Sequence, residues 1–138
     1  MNLTVTNSII HGNNSHDLYL TEYGSATVTY TGNYNFVGVY GETGSPTHTT
    51  SHETNADPKL NSVYHLTNGS PAIDAGICGI FPSYSNYIRI APYIDIDGDK
   101  RPGWGKTTGC DIGADEYKPF PWPMFLPAIT HKRLTIFP

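Results

Sequence analysis

Leu3-Thr4-Val5-Thr6-Asn7 and, 23 positions later, Ala26-Thr27-Val28-Thr29-Tyr30 alternate apolar and polar side chains. A period of two sets Leu3 and Val5 on one face of an extended chain and Thr4 and Thr6 on the other. The β-branched content favours the same conformation. Leu18 and Leu20 flank Tyr19 in the same manner, and Ala26, Val28 and Tyr30 alternate with Thr27 and Thr29. No stretch of ten or more residues carries the apolar stripe of a helix. The return of the five-residue pattern suggests stacked coils, each too thin to bury its own face. Two Thr-rich strands that match by coincidence would read the same way.

Outward from these strands the chain becomes turn-rich. Between Gly32 and Pro58 it is dense in Gly, Ser, Thr, Asn and His, with Phe36-Val37 and Val39-Tyr40 as its only apolar anchors, and reads as a long loop. Ser70-Pro71-Ala72-Ile73-Asp74-Ala75-Gly76 has a capping Ser, a Pro suited to a first helical position and a Gly suited to a left-handed exit, which predicts one short helical turn. Asp95-Ile96-Asp97-Gly98-Asp99-Lys100-Arg101-Pro102 is a turn-rich loop leading towards Cys110-Asp111-Ile112-Gly113-Ala114-Asp115-Glu116-Tyr117. After Lys118 the composition shifts to prolines and aromatics, which exclude a helix and predict an extended strap. The chain thus divides into residues 1–60 (strands and the long loop), 61–117 (a compact closing segment) and 118–138 (the Pro-rich tail).

Composition narrows the class. Charged residues make up only 14% of the chain, while 14 Gly and 11 Pro are spread through it, unlike a helical bundle. Ten Tyr, five Phe, two Trp and a formal charge of −4 also separate it from disordered chains, which are poor in aromatics and highly charged. The mild acidity offers no electrostatic basis for nucleic-acid binding, His131-Lys132-Arg133 being the one basic run. No apolar run approaches the roughly 18 residues of a transmembrane helix. Met1 leads directly into Asn2-Leu3-Thr4-Val5 without a secretory leader. The expectation is therefore the C-terminal part of a longer exported protein.

An ordered series of motifs sharpens this. Val5-Thr6-Asn7-Ser8-Ile9-Ile10 is followed by Asn55-Ala56-Asp57-Pro58, then Tyr64-His65-Leu66 leading into Gly69–Gly76, then Asp97–Pro102 and Asp111–Tyr117. The series resembles the C-terminal end of bacterial right-handed parallel β-helix repeat proteins, the group that includes choice-of-anchor Q proteins. The resemblance covers roughly residues 3–117. It implies an all-β fold, terminal coils of a β-solenoid, an extracellular or cell-surface setting, and no catalytic residues in this segment. Some relatives carry a cysteine pair at the places of Cys78 and Cys110. That implies a disulfide closing a loop of about 33 residues, worth about 3–4 kcal/mol by loop entropy; two buried thiols are the alternative. The last coil of such a stack leaves unpaired backbone and apolar side chains. Ser70–Gly76 and Asp111–Tyr117 are expected to cover that end, with Ser70 and Asp74 shaping the cap and Ile73, Ile112 and Tyr117 as its apolar contacts.

Other residue patterns suggest sites. Asp95, Asp97 and Asp99 alternate as calcium ligands do, but Lys100 occupies the place where an EF-hand loop needs glycine. A turn whose carboxylates accept backbone N–H groups is the competing reading. His48 and His52, with Glu53 adjacent, are spaced like a zinc pair, which converges only on a helix; a solvated loop is favoured there. Asn7 is read as a corner residue bonding neighbouring backbone. Asn2-Leu3-Thr4 and Asn13-Asn14-Ser15 fit the glycosylation sequon. Leu126-Pro127-Ala128-Ile129-Thr130 approaches a sortase signal but has its Thr one place late and no Gly after it.

No cofactor is expected, and no nucleophile–base set or paired-carboxylate arrangement stands out. The favoured expectation is a non-enzymatic structural or adhesion module, with Tyr19, Tyr34 and Tyr40 as candidate sugar-stacking residues; ordinary strand packing is their bland alternative. A polysaccharide lyase or hydrolase with its active site upstream is the second expectation. The third is a filament subunit assembled head to tail, its tail reaching the next copy through Trp122, Met124 and Phe125.

Overall fold

The computed structural model describes residues 1–102, 105 and 107–118. The Pro-rich tail from Pro119 onward, including Trp122, Met124 and Phe125, lies outside the described residues. Among those described there is no helix, and the chain is all-β.

Three strands, β1 (Asn2–Thr6), β2 (Ile9–Ile10) and β3 (Leu18–Thr21), are followed by β4 (Thr29–Asn33), β5 (Phe36–Val37) and β6 (Tyr40–Thr43). Each member of the first trio pairs in parallel with the member of the same rank in the second. Leu3 lies opposite Tyr30, Ile9 opposite Phe36 and Leu18 opposite Tyr40. β7 (Thr47–Ser51) adds a third parallel strand on β4, with His48 opposite Tyr30, and Thr54 bridges to Phe36. The stretch read as a loop between Gly32 and Pro58 therefore supplies three strands. Its Thr, Gly and Ser residues pair through backbone groups in register and keep polar side chains outside. β7, exposed at all five positions, shows why an apolar signal was missing.

The structural repeat also differs from the sequence repeat. Tyr30 sits opposite Leu3 and His48 opposite Tyr30, steps of 27 and 18 residues, not 23. A Thr-x-Thr pattern slid by four residues keeps the same face inward, so alternation fixes the face but not the register. Leu20, Val28 and Tyr30 form the buried centre, with Leu3, Val5 and Leu18 packed around it.

Corners recur at one stacked position. Asn7, Tyr34 and His52, each following the first strand of its row, have φ of 52°, 54° and 54°. Asn tolerates this left-handed conformation through local hydrogen bonding, whereas Tyr and His do so at a cost. Here the Tyr34 and His52 rings stack, their centroids 4.4 Å apart and their planes 2° from parallel.

Inside the turn, Asn35 is fully buried. It donates from Nδ2 to Val5 O at 2.9 Å and accepts the Ser8 N–H at 2.9 Å. Asn35, rather than Asn7, is thus the asparagine that ties row to row. A Cβ at Gly32 would meet Glu53 Oε2 at 2.1 Å and Tyr30 Cε1 at 2.9 Å, so a larger residue there would displace those side chains.

The closing half contributes β8 (Gly76–Ile77), β9 (Gly79–Ser83), β10 (Asn86–Arg89) and β11 (Thr108–Cys110). β9 and β10 form an antiparallel hairpin, and β8 pairs antiparallel with β11. Cys78 and Cys110 are disulfide-bonded across that second pair, with Cα atoms 5.2 Å apart, and with Ala91 they form a small core of their own. The helical turn expected at Ser70–Gly76 is instead a run of turns. Ile73 N donates to Ser70 O and Ala75 N to Ala72 O, and the left-handed residue is Asp74 (φ 55°), not Gly76, which starts β8. Ser70 Oγ accepts the Ala72 N–H and donates to Pro58 O, fixing the turn onto the preceding segment.

Candidate functional site

The residues expected to form the cap pack together with two of the parallel strands. Phe36, Leu66, Ala72 and Ile112 make one core, and Ile9, Tyr34, Leu60, Ile73, Ala75 and Tyr117 pack against it. The apolar side chains of the closing segment thus meet Ile9 of β2 and Phe36 of β5. Asn7 forms the joint. Its Oδ1 accepts the Ile77 N–H at 2.9 Å, its Nδ2 donates to Ile77 O, and its own carbonyl accepts the Gly113 N–H at 3.0 Å.

Behind this joint a charged network holds the closing segment in shape. Arg101, buried, donates from Nη1 to Asp111 O and Glu116 Oε2, both at 3.2 Å, and from Nη2 to Gly113 O at 2.7 Å. Its Nε is buried without an acceptor among the described residues. Asp111 accepts the N–H groups of Asp74 and Tyr117. Burial nevertheless dominates and raises its carboxyl above the ordinary carboxylate range, and burial does the same to Glu116. Asp95 goes the other way. Burial would raise it, but N–H donations from Asp99, Glu116 and Asp97, with Arg101 nearby, hold it low.

The three aspartates that alternate like calcium ligands have separate partners. Asp95 is committed to backbone donors, Asp99 pairs with Lys118 at 2.5 Å, and Asp97 lies 3.1 Å from His65 Nδ1. They do not converge on one point. Among the described residues, the group of potential metal ligands that does converge is His65, Asp97 and Asp115. Sequence reading missed it because the three come from separate turns.

A second polar cluster sits at the β7 end of the stack. Tyr30 OH donates to Glu53 Oε2 at 2.7 Å, Asn35 Nδ2 reaches the same oxygen at 3.1 Å, and Tyr40 OH donates to Glu53 Oε1. The rings of Tyr30, Tyr40 and His48 meet edge to face at 5.7–6.0 Å. Burial, and then the Glu53 carboxylate, push the Tyr30 phenol well above its ordinary value, so it stays a donor. His48 pairs with Glu42 at 3.0 Å, while His52 stacks on Tyr34. The two histidines spaced like a zinc pair therefore point to different partners, because they lie on a strand and its corner rather than on a helix.

The three candidate sugar-stacking tyrosines are dispersed. Tyr19 is half exposed, with its OH on Thr43 Oγ1 at 2.8 Å. Tyr40 belongs to the Glu53 cluster and Tyr34 to the flank core. Of the sequon asparagines, Asn2 lies in β1, and Asn13 is exposed with its amide on Asp17 Oδ1 at 2.9 Å.

Beside the first row, a groove of about 560 Å³ runs between Ser8 and Ile9 on one side and Ile90, Ile94 and Ile96 on the other. Ile88, Ile90, Ile94 and Ile96 are 39–65% exposed, and the groove reaches Thr6 of β1, an edge strand of its sheet among the described residues. No helix among the described residues is long and apolar enough to cross a membrane. No protein-family model matches the chain, and neither curated proteins nor solved structures give a significant match.

Proposed function

We propose that residues 1–117 are terminal coils of a right-handed parallel β-helix with a closing segment strapped to its flank, serving as a non-enzymatic structural or adhesion module outside the cell. The observation that carries the reading is the in-order pairing of β1, β2 and β3 with β4, β5 and β6, all parallel. A chain that pairs three successive strands with the next three in the same order winds around an axis, and parallel crossovers are right-handed in nearly all cases. The stacked left-handed corners support the same path. The buried disulfide suits an oxidising compartment. Tyr19, Tyr23, Tyr64, Tyr84 and Tyr93 each expose half or more of their surface, which suits stacking on sugars by a rigid aromatic face.

In this reading the open edge of β1 and the isoleucine groove form the seat of one more coil. A tandem copy of residues 2–28 inserted ahead of Asn2 preserves the observed 27-residue step. It should raise the urea midpoint and lower the binding of a hydrophobic dye, since each added repeat contributes an interface. A lower midpoint with greater dye binding rejects the coil reading. Contact with glycans is tested by retardation in gels containing neutral or acidic polysaccharide, with Tyr19→Ala as the reporter. Migration unchanged in every gel rejects adhesion through sugars.

A second reading, head-to-tail filament assembly, is favoured by one observation. β1 and β7 are the two edges of the same three-stranded parallel sheet. Light scattering at high concentration separates the two: linear assemblies support the filament, and a monomer excludes it.

A further inference from the structure

We propose that His65, Asp97 and Asp115 form a binding site for one zinc-type divalent cation, a role independent of the coil reading. His65 Nδ1 lies 3.1 Å from Asp97 Oδ2 and 3.5 Å from Asp115 Oδ1, and the three ligand atoms all fall within 4.8 Å of one another. A tetrahedral ion with bonds of about 2.0–2.1 Å holds its ligands about 3.3–3.4 Å apart. The two separations from His65 bracket that edge, and the two carboxylate oxygens, within 4.8 Å of each other, close on the ion to complete it.

Each ligand is held by contacts that owe nothing to the others. Asn61 Oδ1 accepts the N–H groups of Val63 and His65, and Asn61 N donates to His65 O, which fixes the His65 backbone. Asp95 Oδ1 accepts the Asp97 N–H and sets that turn. Asp115 Oδ2 accepts the Leu66 N–H at 2.7 Å.

The decisive atom is the other oxygen of Asp115. Its side chain is only 9% exposed, and Oδ1 faces His65 Nδ1 at 3.5 Å. An imidazole Nδ1 carries at most one proton, so it can satisfy Asp97 or Asp115 but not both. One ring proton facing two carboxylates leaves one of them short of a partner, and a cation shared by both carboxylates and the imidazole pairs all three.

The imidazole selects the kind of ion. Calcium and magnesium prefer all-oxygen shells, whereas zinc takes nitrogen and carboxylate ligands together. Three protein ligands leave a fourth position, and a pocket of about 170 Å³ lined by Asp99, Glu116 and Lys118 adjoins the cluster. Water or an anionic group of a partner would complete the shell there.

Asp97 is the ligand to change, since its side chain is half exposed and is not needed to hold Leu66. Zinc titrated calorimetrically into the metal-stripped, oxidised chain should bind with one equivalent, and Asp97→Asn should weaken that event at least tenfold while leaving the circular dichroism unchanged. Nitrogen-15 spectra of the wild-type imidazoles provide a readout that needs no variant: zinc should shift Nδ1 of His65 ahead of the other histidines. Three outcomes overturn the proposal: no uptake at micromolar zinc, uptake unaffected by Asp97→Asn, or shifts confined to histidines other than His65. Displacement of zinc by millimolar calcium overturns the choice of ion.

Discussion

Arg101→Met tests whether the buried guanidinium is what holds the closing segment together. The Arg101 side chain is 1% exposed and that of Glu116 is 12% exposed, with 3.2 Å between them. Methionine fills much of the volume but abandons one carboxylate and two carbonyls, those of Asp111 and Gly113. Breaking a buried pair by removing one partner costs about 3–5 kcal/mol, because the remaining charge stays desolvated. For a chain of this size that corresponds to a fall of roughly 10–20 °C in Tm. Glu116 is already raised by burial, and Arg101 opposes that rise. In the variant Glu116 therefore takes up a proton more readily, and the loss should shrink as pH is lowered from 7 towards 5. Adding Glu116→Gln should recover much of the stability at pH 7, since a neutral amide oxygen still accepts the Asp111 N–H. Urea unfolding of the two single variants and the double variant, under oxidising conditions, measures all three quantities. A loss below about 1 kcal/mol for Arg101→Met, or no recovery in the double variant, would refute the reasoning.

The disulfide spans a sequence separation of 32, for which chain entropy gives about 3.7 kcal/mol. Denaturation with and without reductant should differ by about 3–4 kcal/mol, with exchange protection lost first along β8 and β11; a difference under about 1 kcal/mol contradicts it. Stability should also vary with pH in two directions. Asp111 and Glu116 are raised above their ordinary 3.8 and 4.5, so the folded state holds their protons more tightly and gains stability as pH falls from neutral through their raised values. Asp95, Asp17 and Glu22 are lowered, so their contribution is full above the ordinary carboxylate range and is lost as pH falls through and below it. Urea midpoints should therefore hold or rise from pH 7 towards 5 and drop below about 4, and Asp111→Asn should flatten the upper limb. A steady decline beginning at pH 7 in the wild type would contradict the assignment.

Alternation in Leu3–Asn7, Leu18–Leu20 and Ala26–Tyr30 was enough to read the class, because a period of two has only one regular solution. It was not enough to read the register, since Thr-x-Thr steps look alike at 23 and 27 residues. β7 was illegible for a related reason. A strand held by backbone pairing on β4 with all five side chains in solvent has no apolar signature to read. Asn35 went unnoticed because buried asparagine between aromatics looks like any turn residue until its two neighbours, Val5 and Ser8, are brought to it from 30 and 27 residues away. The aspartates of the 95–99 loop were visible as a group. Which of them was free was not, because that depends on Glu116 and Lys118 arriving from the far end of the closing segment.

The same limit applies to the joint between the two halves, and there it has a physical meaning. Asn7 at a left-handed corner directs its amide away from the stack, so that a single side chain meets both the N–H and the C=O of Ile77, as a neighbouring strand would. Its carbonyl meets Gly113, whose φ of 108° favours glycine and where a Cβ would lie 2.8 Å from Ile9 Cδ1. Asparagine and glycine at these two positions are thus matched across more than a hundred residues, one supplying a strand-like edge at a corner and the other the clearance to approach it. The closing segment therefore recognises the first row by its corner rather than by an open sheet edge. That leaves the outer edge of β1 without a strand partner among the described residues, while β2 and β5 are already covered by the closing segment.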